Sequence, residues 1–234
     1  MKCNDMLENI KNEYNIVKIL SNKNECRIFQ IRNKKSENDI VLRIYTSPIE
    51  AYNFLKNIKH VNLPEIYDTY MFEDGQIVLE EFISGITIAD VLESGKYTYR
   101  GARKIVSSIC DVLSFLHSIH IVHRDIKPEN IMITDKGTVK LIDFNASRIY
   151  KKDCDTDTVI LGTVGYASPE QYGLAQSDSR ADIYALGILL NIMLTGKHPS
   201  EQLAKGRAGK ITLKCTQIDP NKRFKTVEEL KYNL

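Results

Sequence analysis

The sequence predicts an α+β fold in which a five-stranded sheet with one helix is followed by a mainly helical part. Between residues 14 and 82, short β-branched runs alternate with polar turns, a pattern typical of strands. Beyond Gly85 the apolar residues take helical spacing, and residues 102–118 form the longest amphipathic stretch. No repeat, low-complexity segment or linker divides the chain. These observations together indicate one continuous two-part architecture.

The predicted elements follow one another in a simple order. The five strands are expected at residues 16–20, 26–31, 40–44, 66–71 and 77–82. Between the third and fourth strands, Ser47-Pro48 opens a helix that carries Tyr52, Leu55 and Ile58 at three-residue spacing. Two small strands are expected at 131–133 and 139–142, and residues 183–194 predict a buried helix.

Composition and charge exclude several classes of protein. Lys and Arg total 32 against 30 for Asp and Glu, which favours neither nucleic acid nor a membrane surface as a partner. Five scattered cysteines without a C-x-x-C pair indicate neither a disulfide framework nor a zinc site. The apolar run 183–194 is too short to span a bilayer, and residues 1–13 read as an N-terminal extension without a signal-peptide core. A reducing, cytoplasmic setting is therefore expected.

One stretch carries the chemistry, the eight residues 123–130, which read H-R-D-x-K-x-x-N. They bring a carboxylate, an ammonium and an amide together as Asp125, Lys127 and Asn130, and Asp143 follows in a second short stretch, L-I-D-F-N. Phosphoryl transfer from a nucleotide depends on positioning and charge stabilisation, for which these groups are suited. Oxygen ligands for Mg²⁺ are also required, and Asn130 and Asp143 can supply them.

A match of this length is not a chance surface turn, and the sequence resembles the protein kinase family, specifically bacterial kinases of its Ser/Thr branch. The resemblance implies a protein substrate, ATP and Mg²⁺. Within it, Asp125 is the catalytic base, Lys127 contacts the γ-phosphate, and Asn130 and Asp143 bind the metal. It also implies a small lobe at 14–82 with an antiparallel sheet, a large lobe at 83–234, and the nucleotide between them.

The same resemblance assigns nucleotide contacts outside the catalytic stretch. Adenine would be bound by backbone groups of Glu81 and Ile83 and covered by Val41 and Met132. The resemblance also predicts Ile28 in the strand that follows the phosphate-covering loop.

A further block, G-T-V-G-Y-A-S-P-E at 162–170, resembles the end of a kinase activation segment. The resemblance implies that Thr163 bonds both Asp125 and Lys127, and that Glu170 forms a buried ion pair with Arg223. Asp182 is expected to bind the backbone of the catalytic stretch, to cap its own helix, or both. His123 and Phe144 are expected to pack together as core residues.

The predicted small lobe departs from the family pattern. The three glycine positions of the phosphate-covering loop hold Ser21, Lys23 and Cys26, and the strand lysine is replaced by Arg43. An arginine keeps the charge but presents a planar fork in place of a compact ammonium. The phosphate-contacting residues are therefore expected to include Ser21, Lys23 and Arg43.

The partner of Arg43 is left open by the sequence. Ala51 occupies the position where the family has a helix glutamate, and Glu50 lies about 100° away round the helix. Lys23 or Arg27 is an alternative source of the positive charge that the family's strand lysine supplies.

Three functions are consistent with these patterns. An active Ser/Thr protein kinase is favoured because the four catalytic and metal-binding groups are all present. A pseudokinase acting as a binding module is favoured only by the departures near the N-terminus, and a small-molecule phosphotransferase ranks third. Arg124 suggests regulation by phosphate on Thr156 or Thr158, unless an aspartate at 153, 155 or 157 serves it instead.

Overall fold

The computed structural model describes residues 3–73, 75–150, 162–173 and 177–234. These residues form two compact units. The first, here called the sheet unit, comprises the chain up to His60 together with Pro64–Ser84. The second, the helical unit, comprises Val61–Leu63 and Gly85–Leu234.

The sheet unit is built on five strands in the order β1-β2-β3-β5-β4, in which every neighbouring pair is antiparallel. The strands are β1 Tyr14–Asn22, β2 Cys26–Asn33, β3 Asp39–Tyr45, β4 Ile66–Phe72 and β5 Gly75–Glu81. Two helices belong to the unit, α1 Cys3–Glu13 and α2 Glu50–Leu55. The predicted α+β class with a five-stranded antiparallel sheet is confirmed.

Side chains alternate across the sheet and give it two chemically different faces. On the aliphatic face, Leu42 and Ile44 of β3 and Ile77 and Leu79 of β5 form a buried cluster with Met6 of α1. Residues that the sequence suggested were a simple extension therefore form a helix that packs on the sheet.

The opposite face, here called the charged face, carries Arg43 and Tyr45 of β3, both buried. The Tyr45 hydroxyl lies 3.0 Å from the Tyr52 hydroxyl of α2. The predicted helix was too long, because α2 ends at Leu55 and Ile58 lies outside it. Asn57 and the β-branched Ile58 have low helix propensity, which agrees with this early end.

The helical unit contains five helices and five short strands among its described residues. The helices are α3 Ile88–Ser94, α4 Tyr99–Ser118, α5 Arg180–Thr195, α6 Gly206–Cys215 and α7 Val227–Asn233. The strands are β6 Gly85–Thr87, β7 Ile121–Val122, β8 Ile131–Thr134, β9 Val139–Leu141 and β10 Arg148–Ile149. They form the ladders β6-β8-β9 and β7-β10. Helix α5 is buried along most of its length, as its apolar sequence predicted.

Within the described ranges, no helix combines the length and the apolar character needed to cross a membrane.

Candidate functional site

The predicted catalytic stretch lies between β7 and β8 and is fixed by a single buried carboxylate. Asp182, in the first turn of α5, accepts hydrogen bonds from the backbone N–H groups of His123 at 3.0 Å and Arg124 at 2.7 Å. The Nε2 atom of His117, on α4, lies 2.8 Å from the same carboxylate. The expected contact between Asp182 and the catalytic stretch is present.

The alternative role of Asp182 as a helix N-cap is wrong. Ser179 occupies the N-cap position, and Asp182 lies within the first turn of the helix. Burial raises the pKa of the Asp182 carboxyl, but its hydrogen bonds with His117 and with the Arg124 N–H outweigh burial and lower it. Asp182 is therefore an ionised anchor for the loop.

Four side chains form a compact charge cluster in the helical unit. The Lys127 ammonium lies 2.7 Å from Asp125 Oδ2 and donates to Thr163 Oγ1 at 2.7 Å. The Thr163 hydroxyl donates to Asp125 Oδ1 at 2.7 Å. The Asn130 amide donates at 2.9 Å to both the carboxylate and the backbone carbonyl of Asp125. The contacts predicted for Thr163 are therefore present.

This cluster keeps Asp125 ionised. Burial raises its pKa. The hydrogen bonds from Lys127 and Thr163 and the charge of Lys127 outweigh this effect, so the pKa of Asp125 lies below its usual range. A carboxyl group with such a pKa is a weak base at neutral pH. It is suited to orienting a hydroxyl group and to receiving its proton once the oxygen has begun to react.

The two predicted metal ligands are suited to a hard cation. Because the Asn130 amide nitrogen faces Asp125, its oxygen is the atom that can bind a metal. The backbone N–H of Ile142 donates to the Asn130 carbonyl at 2.9 Å and so ties Asn130 to the segment that bears Asp143. Among the described residues, no group of three or more His, Cys, Asp or Glu side chains could bind a metal. Mg²⁺ is commonly bound by only one or two carboxylates together with phosphate oxygens, so the Asn130 amide oxygen and the Asp143 carboxylate are suitable protein ligands.

The catalytic stretch and the stretch that bears Asp143 pack against each other, and each contains a residue with a strained backbone. The rings of His123 and Phe144 are fully buried and meet edge-on with centroids 5.0 Å apart. Burial lowers the pKa of His123 against the raising effect of nearby carboxylates, so the imidazole stays neutral. Arg124 and Asp143 both adopt positive φ, 68° and 66°. Positive φ angles strain residues other than glycine, and such strained residues often cluster at functional sites.

The block at 162–170 is joined to the catalytic stretch and to the C-terminal part of the unit. Gly162 has a φ of +146°, and a Cβ there would lie 2.6 Å from the Cβ of Ala167, so only glycine fits. Gln171 donates to the Arg124 carbonyl at 2.8 Å. Arg223 makes two hydrogen bonds to Glu170, at 2.6 and 2.8 Å, which confirms the predicted buried ion pair.

In the sheet unit, a short hairpin joins β1 and β2 at the position where the family has a glycine-rich loop. Ser21 lies in β1 opposite Ile28, and the Lys23 N–H donates to the Cys26 carbonyl at 3.2 Å. None of residues 21–26 has a positive φ, so this hairpin needs no glycine. Lys23 and Arg27 are exposed, whereas Arg43 is buried.

The predicted sheet-unit contacts share one face. Ile28 lies opposite Arg43, and Val41 lies two residues before Arg43 on β3, so all three belong to the charged face. Arg43 Nε donates to Glu80 Oε1 of β5 at 2.7 Å. This bond identifies a carboxylate partner that the sequence left open.

The remaining predicted adenine contacts fall in both units. Glu81 ends β5, and its N–H already donates to the Glu65 carbonyl at 2.8 Å. Ile83 lies between β5 and β6 and is buried. Met132 belongs to β8 of the helical unit, opposite Thr87 and Lys140. The proposed regulatory residues at 153–158, including Thr156 and Thr158, lie outside the described residues.

A family model described as "Protein kinase domain" matches residues 11–233. The chain belongs to the protein kinase family. The match includes both units, so the departures of the sheet unit lie within a kinase domain. The recognition made from the catalytic stretch is thereby confirmed.

Three bacterial proteins illustrate the similarity to curated relatives. The chain is 31% identical over 203 residues to the serine/threonine-protein kinase PrkC of Bacillus subtilis, covering 76% of this chain and 31% of that protein. It is 27% identical over 229 residues to a probable serine/threonine-protein kinase of Clostridium perfringens, covering 86% and 32%. It is 35% identical over 150 residues to PknB of Mycolicibacterium smegmatis, covering 61% and 24%. The alignments thus cover 24% to 32% of each relative's length.

Three contributors to the site were missed by sequence reasoning. Gln171 could have been found, because Ser168 and Gln171 form the S-x-x-Q pattern of a capping box, which is present in the structure. His117 could not, since its partner Asp182 is 65 residues away. Glu80 was predicted only as part of the strand at 77–82, and its contact with Arg43 depends on strand register.

Proposed function

We propose that this chain is a Ser/Thr protein kinase that transfers the γ-phosphoryl group of ATP to a protein hydroxyl. Protein kinases act on protein substrates, and the named relatives are serine/threonine-protein kinases. The observation that carries the proposal is the arrangement of donors around Asp125. Three side chains donate to its carboxylate, from Lys127, Asn130 and Thr163. A carboxylate offers about four lone-pair sites, so one remains for a substrate hydroxyl.

The residues of the cluster have distinct roles in the proposed reaction. Asp125 accepts the hydrogen bond of the substrate hydroxyl, and takes its proton as the oxygen–phosphorus bond forms and ADP leaves. Lys127, held beside Asp125, places a positive charge near the transferring phosphoryl group. Asn130 and Asp143 would hold Mg²⁺, which neutralises phosphate charge when bound. Thr163 fixes the relative positions of Asp125 and Lys127.

Nucleotide contacts are proposed for the residues named from the resemblance. In the sheet unit these are Ser21, Lys23, Ile28, Val41, Arg43, Glu81 and Ile83, and in the helical unit Met132. The placement of Ile28, Val41 and Arg43 on one face supports a common role. Exposure of Lys23 makes it a weaker candidate for the phosphate-steering charge than buried Arg43.

The near-neutral charge supports a protein partner over nucleic acid or a membrane surface, and a cytoplasmic setting is proposed with it. Cys26, Cys110 and Cys215 are buried and form no disulfide, which is compatible with a reducing compartment.

The experiment is phosphoryl transfer from labelled Mg²⁺-ATP to the chain itself and to a general Ser/Thr protein substrate, followed by phosphoamino-acid analysis. Asp125→Asn should retain the fold and ATP binding but reduce transfer by about 10²- to 10⁴-fold, since it removes the proton acceptor. Asp135→Asn, the same change in an exposed turn, is the matched control. Equal transfer by the Asp125→Asn form and the parent would refute the proposal, and ATP binding without transfer would favour a pseudokinase.

A further inference from the structure

Two opposite charges are buried next to each other on the charged face of the sheet unit. Arg43 is 5% exposed and Glu80 is 2% exposed. The Nε atom of Arg43 lies 2.7 Å from Glu80 Oε1, within hydrogen-bond distance. Burying one charge without the other carries a large desolvation cost, so each residue of this pair requires its partner.

The sheet register itself produces this contact. Arg43 on β3 lies directly opposite Val78 on β5, and Glu80 is two residues further along β5 on the same face. Diagonal neighbours of this kind are within reach of long side chains. Both residues are held by the antiparallel ladder of adjacent central strands, so their relative position is fixed by the sheet.

Helix α2 supplies no such carboxylate. Ala51, at the position where the family resemblance expects a glutamate, is 1% exposed and carries only a methyl group. Glu50 is exposed at the start of the helix. The buried Tyr52 instead meets Tyr45 through their hydroxyl groups. The side of α2 that packs in the sheet unit is therefore apolar and phenolic.

We propose that Glu80 is the positioning residue for Arg43, in the place of a carboxylate from helix α2. The inference rests on the proposed function, in which Arg43 steers the phosphates of ATP. The position of the steering cation is then set within the sheet and does not depend on how α2 is placed. Changes to α2 that would inactivate a kinase with a helix carboxylate leave this one active.

The test is steady-state kinetics with ATP as the varied substrate, accompanied by calorimetric ATP binding and thermal melting. Glu80→Gln keeps the shape and an acceptor oxygen but removes the charge that holds the guanidinium. It should lower kcat/KM for ATP about 10- to 100-fold, the usual effect of losing a hydrogen bond between charged groups. The loss should appear as a raised KM and Kd for ATP, with the KM for the protein substrate unchanged. A purely structural defect would lower the active fraction and leave both KM values alone.

Two further variants keep the test decisive. Glu80→Asp retains the charge and so keeps the buried pair neutral, but draws the guanidinium back by one methylene, and should also raise the KM for ATP. Glu50→Gln, which removes the exposed carboxylate of α2, should match the parent. The double change Arg43→Met with Glu80→Met should melt near the parent temperature, because buried ion pairs are often replaced by apolar residues without loss, yet bind ATP poorly.

The outcomes separate this inference from the function on which it rests. Parental KM and Kd for ATP in both Glu80 variants would overturn the positioning role while leaving the kinase assignment intact. A loss confined to Glu50→Gln would overturn it in favour of the helix carboxylate. A parent that binds ATP without transferring phosphate would refute the kinase proposal alone, because the binding comparison still tests Glu80. A parent that neither binds ATP nor transfers phosphate would overturn both.

Discussion

The two units hold their charged groups by different means. In the helical unit, Asp125, Lys127 and Asn130 lie within six consecutive residues, and their contacts follow from one loop. In the sheet unit, Arg43 and Glu80 are 37 residues apart and meet only because β3 and β5 are adjacent. The residues of the charge cluster agree with the family pattern at each position. In the Arg43–Glu80 pair, by contrast, an arginine stands in place of the family's lysine and a strand carboxylate in place of its helix glutamate. A cation can therefore keep a buried carboxylate partner although its family partner is absent.

The largest effect is expected from removing Asp143, the carboxylate among the two predicted metal ligands. Asp143→Ala should weaken Mg²⁺-dependent ATP binding at least about 100-fold, since changes even beyond the direct metal ligands cost up to that much. Calorimetry with and without Mg²⁺ measures the effect, and Asp135→Ala serves as the control. Binding that is unchanged and independent of metal would contradict the assignment of Asp143.

A second comparison tests the sheet-unit pair through its cation. Arg43→Ala removes the guanidinium that neutralises the buried Glu80 carboxylate, so both ATP binding and stability should fall. Arg43→Lys keeps the charge, but a single ammonium nitrogen must then serve both Glu80 and the phosphates. We expect kcat/KM for ATP to fall about tenfold in the lysine form, close to the loss of one hydrogen bond to a charged group.

Kinetics of the two Arg43 variants, with melting temperatures, distinguish the possible results. A lysine form as active as the parent would show that the guanidinium shape is unimportant. Parental activity in both forms would show that Arg43 does not steer the phosphates. Lys23 or Arg27 would then be the candidate for that role.

The smallest expected effect concerns the tuning of Asp125. Its pKa is lowered partly by the hydrogen bond from the Thr163 hydroxyl, so Thr163→Val should raise that pKa. Because the carboxylate must be ionised to act, activity is lost as pH falls through this pKa. The acid limb of the pH–rate profile should therefore move to higher pH in Thr163→Val and stay in place in Thr163→Ser.

At neutral pH Asp125 stays ionised in both Thr163 variants, so a loss of rate there reports the positions of Asp125 and Lys127, and only the acid limb reports the pKa. Identical acid limbs in the parent and in the valine form would contradict the tuning role of Thr163.

Much of the helical-unit site could be predicted from the sequence because its contacts depend on a family-specific spacing. The pairing of Thr163 with Asp125 and Lys127, and of Glu170 with Arg223, is present as the resemblance implied. Helix α1 was missed because a short polar segment of this kind is stable only against an apolar surface, here the aliphatic face of the sheet. Helix α2 was predicted too long because apolar spacing outweighed the low helix propensity of Asn57 and Ile58.

The sequence by itself determined the fold class, the family and the residues that meet in the charge cluster. These depend on local periodicity and on groups held within one loop. Tertiary structure alone decided the partner of Arg43, the role of Asp182 as an anchor in place of a cap, and the packing of α1. Each depends on which strands or helices become neighbours, and a side chain's reach across a sheet is set by register. Sequence spacing carries no record of that register, so the Arg43–Glu80 pair emerges only when the strands are paired.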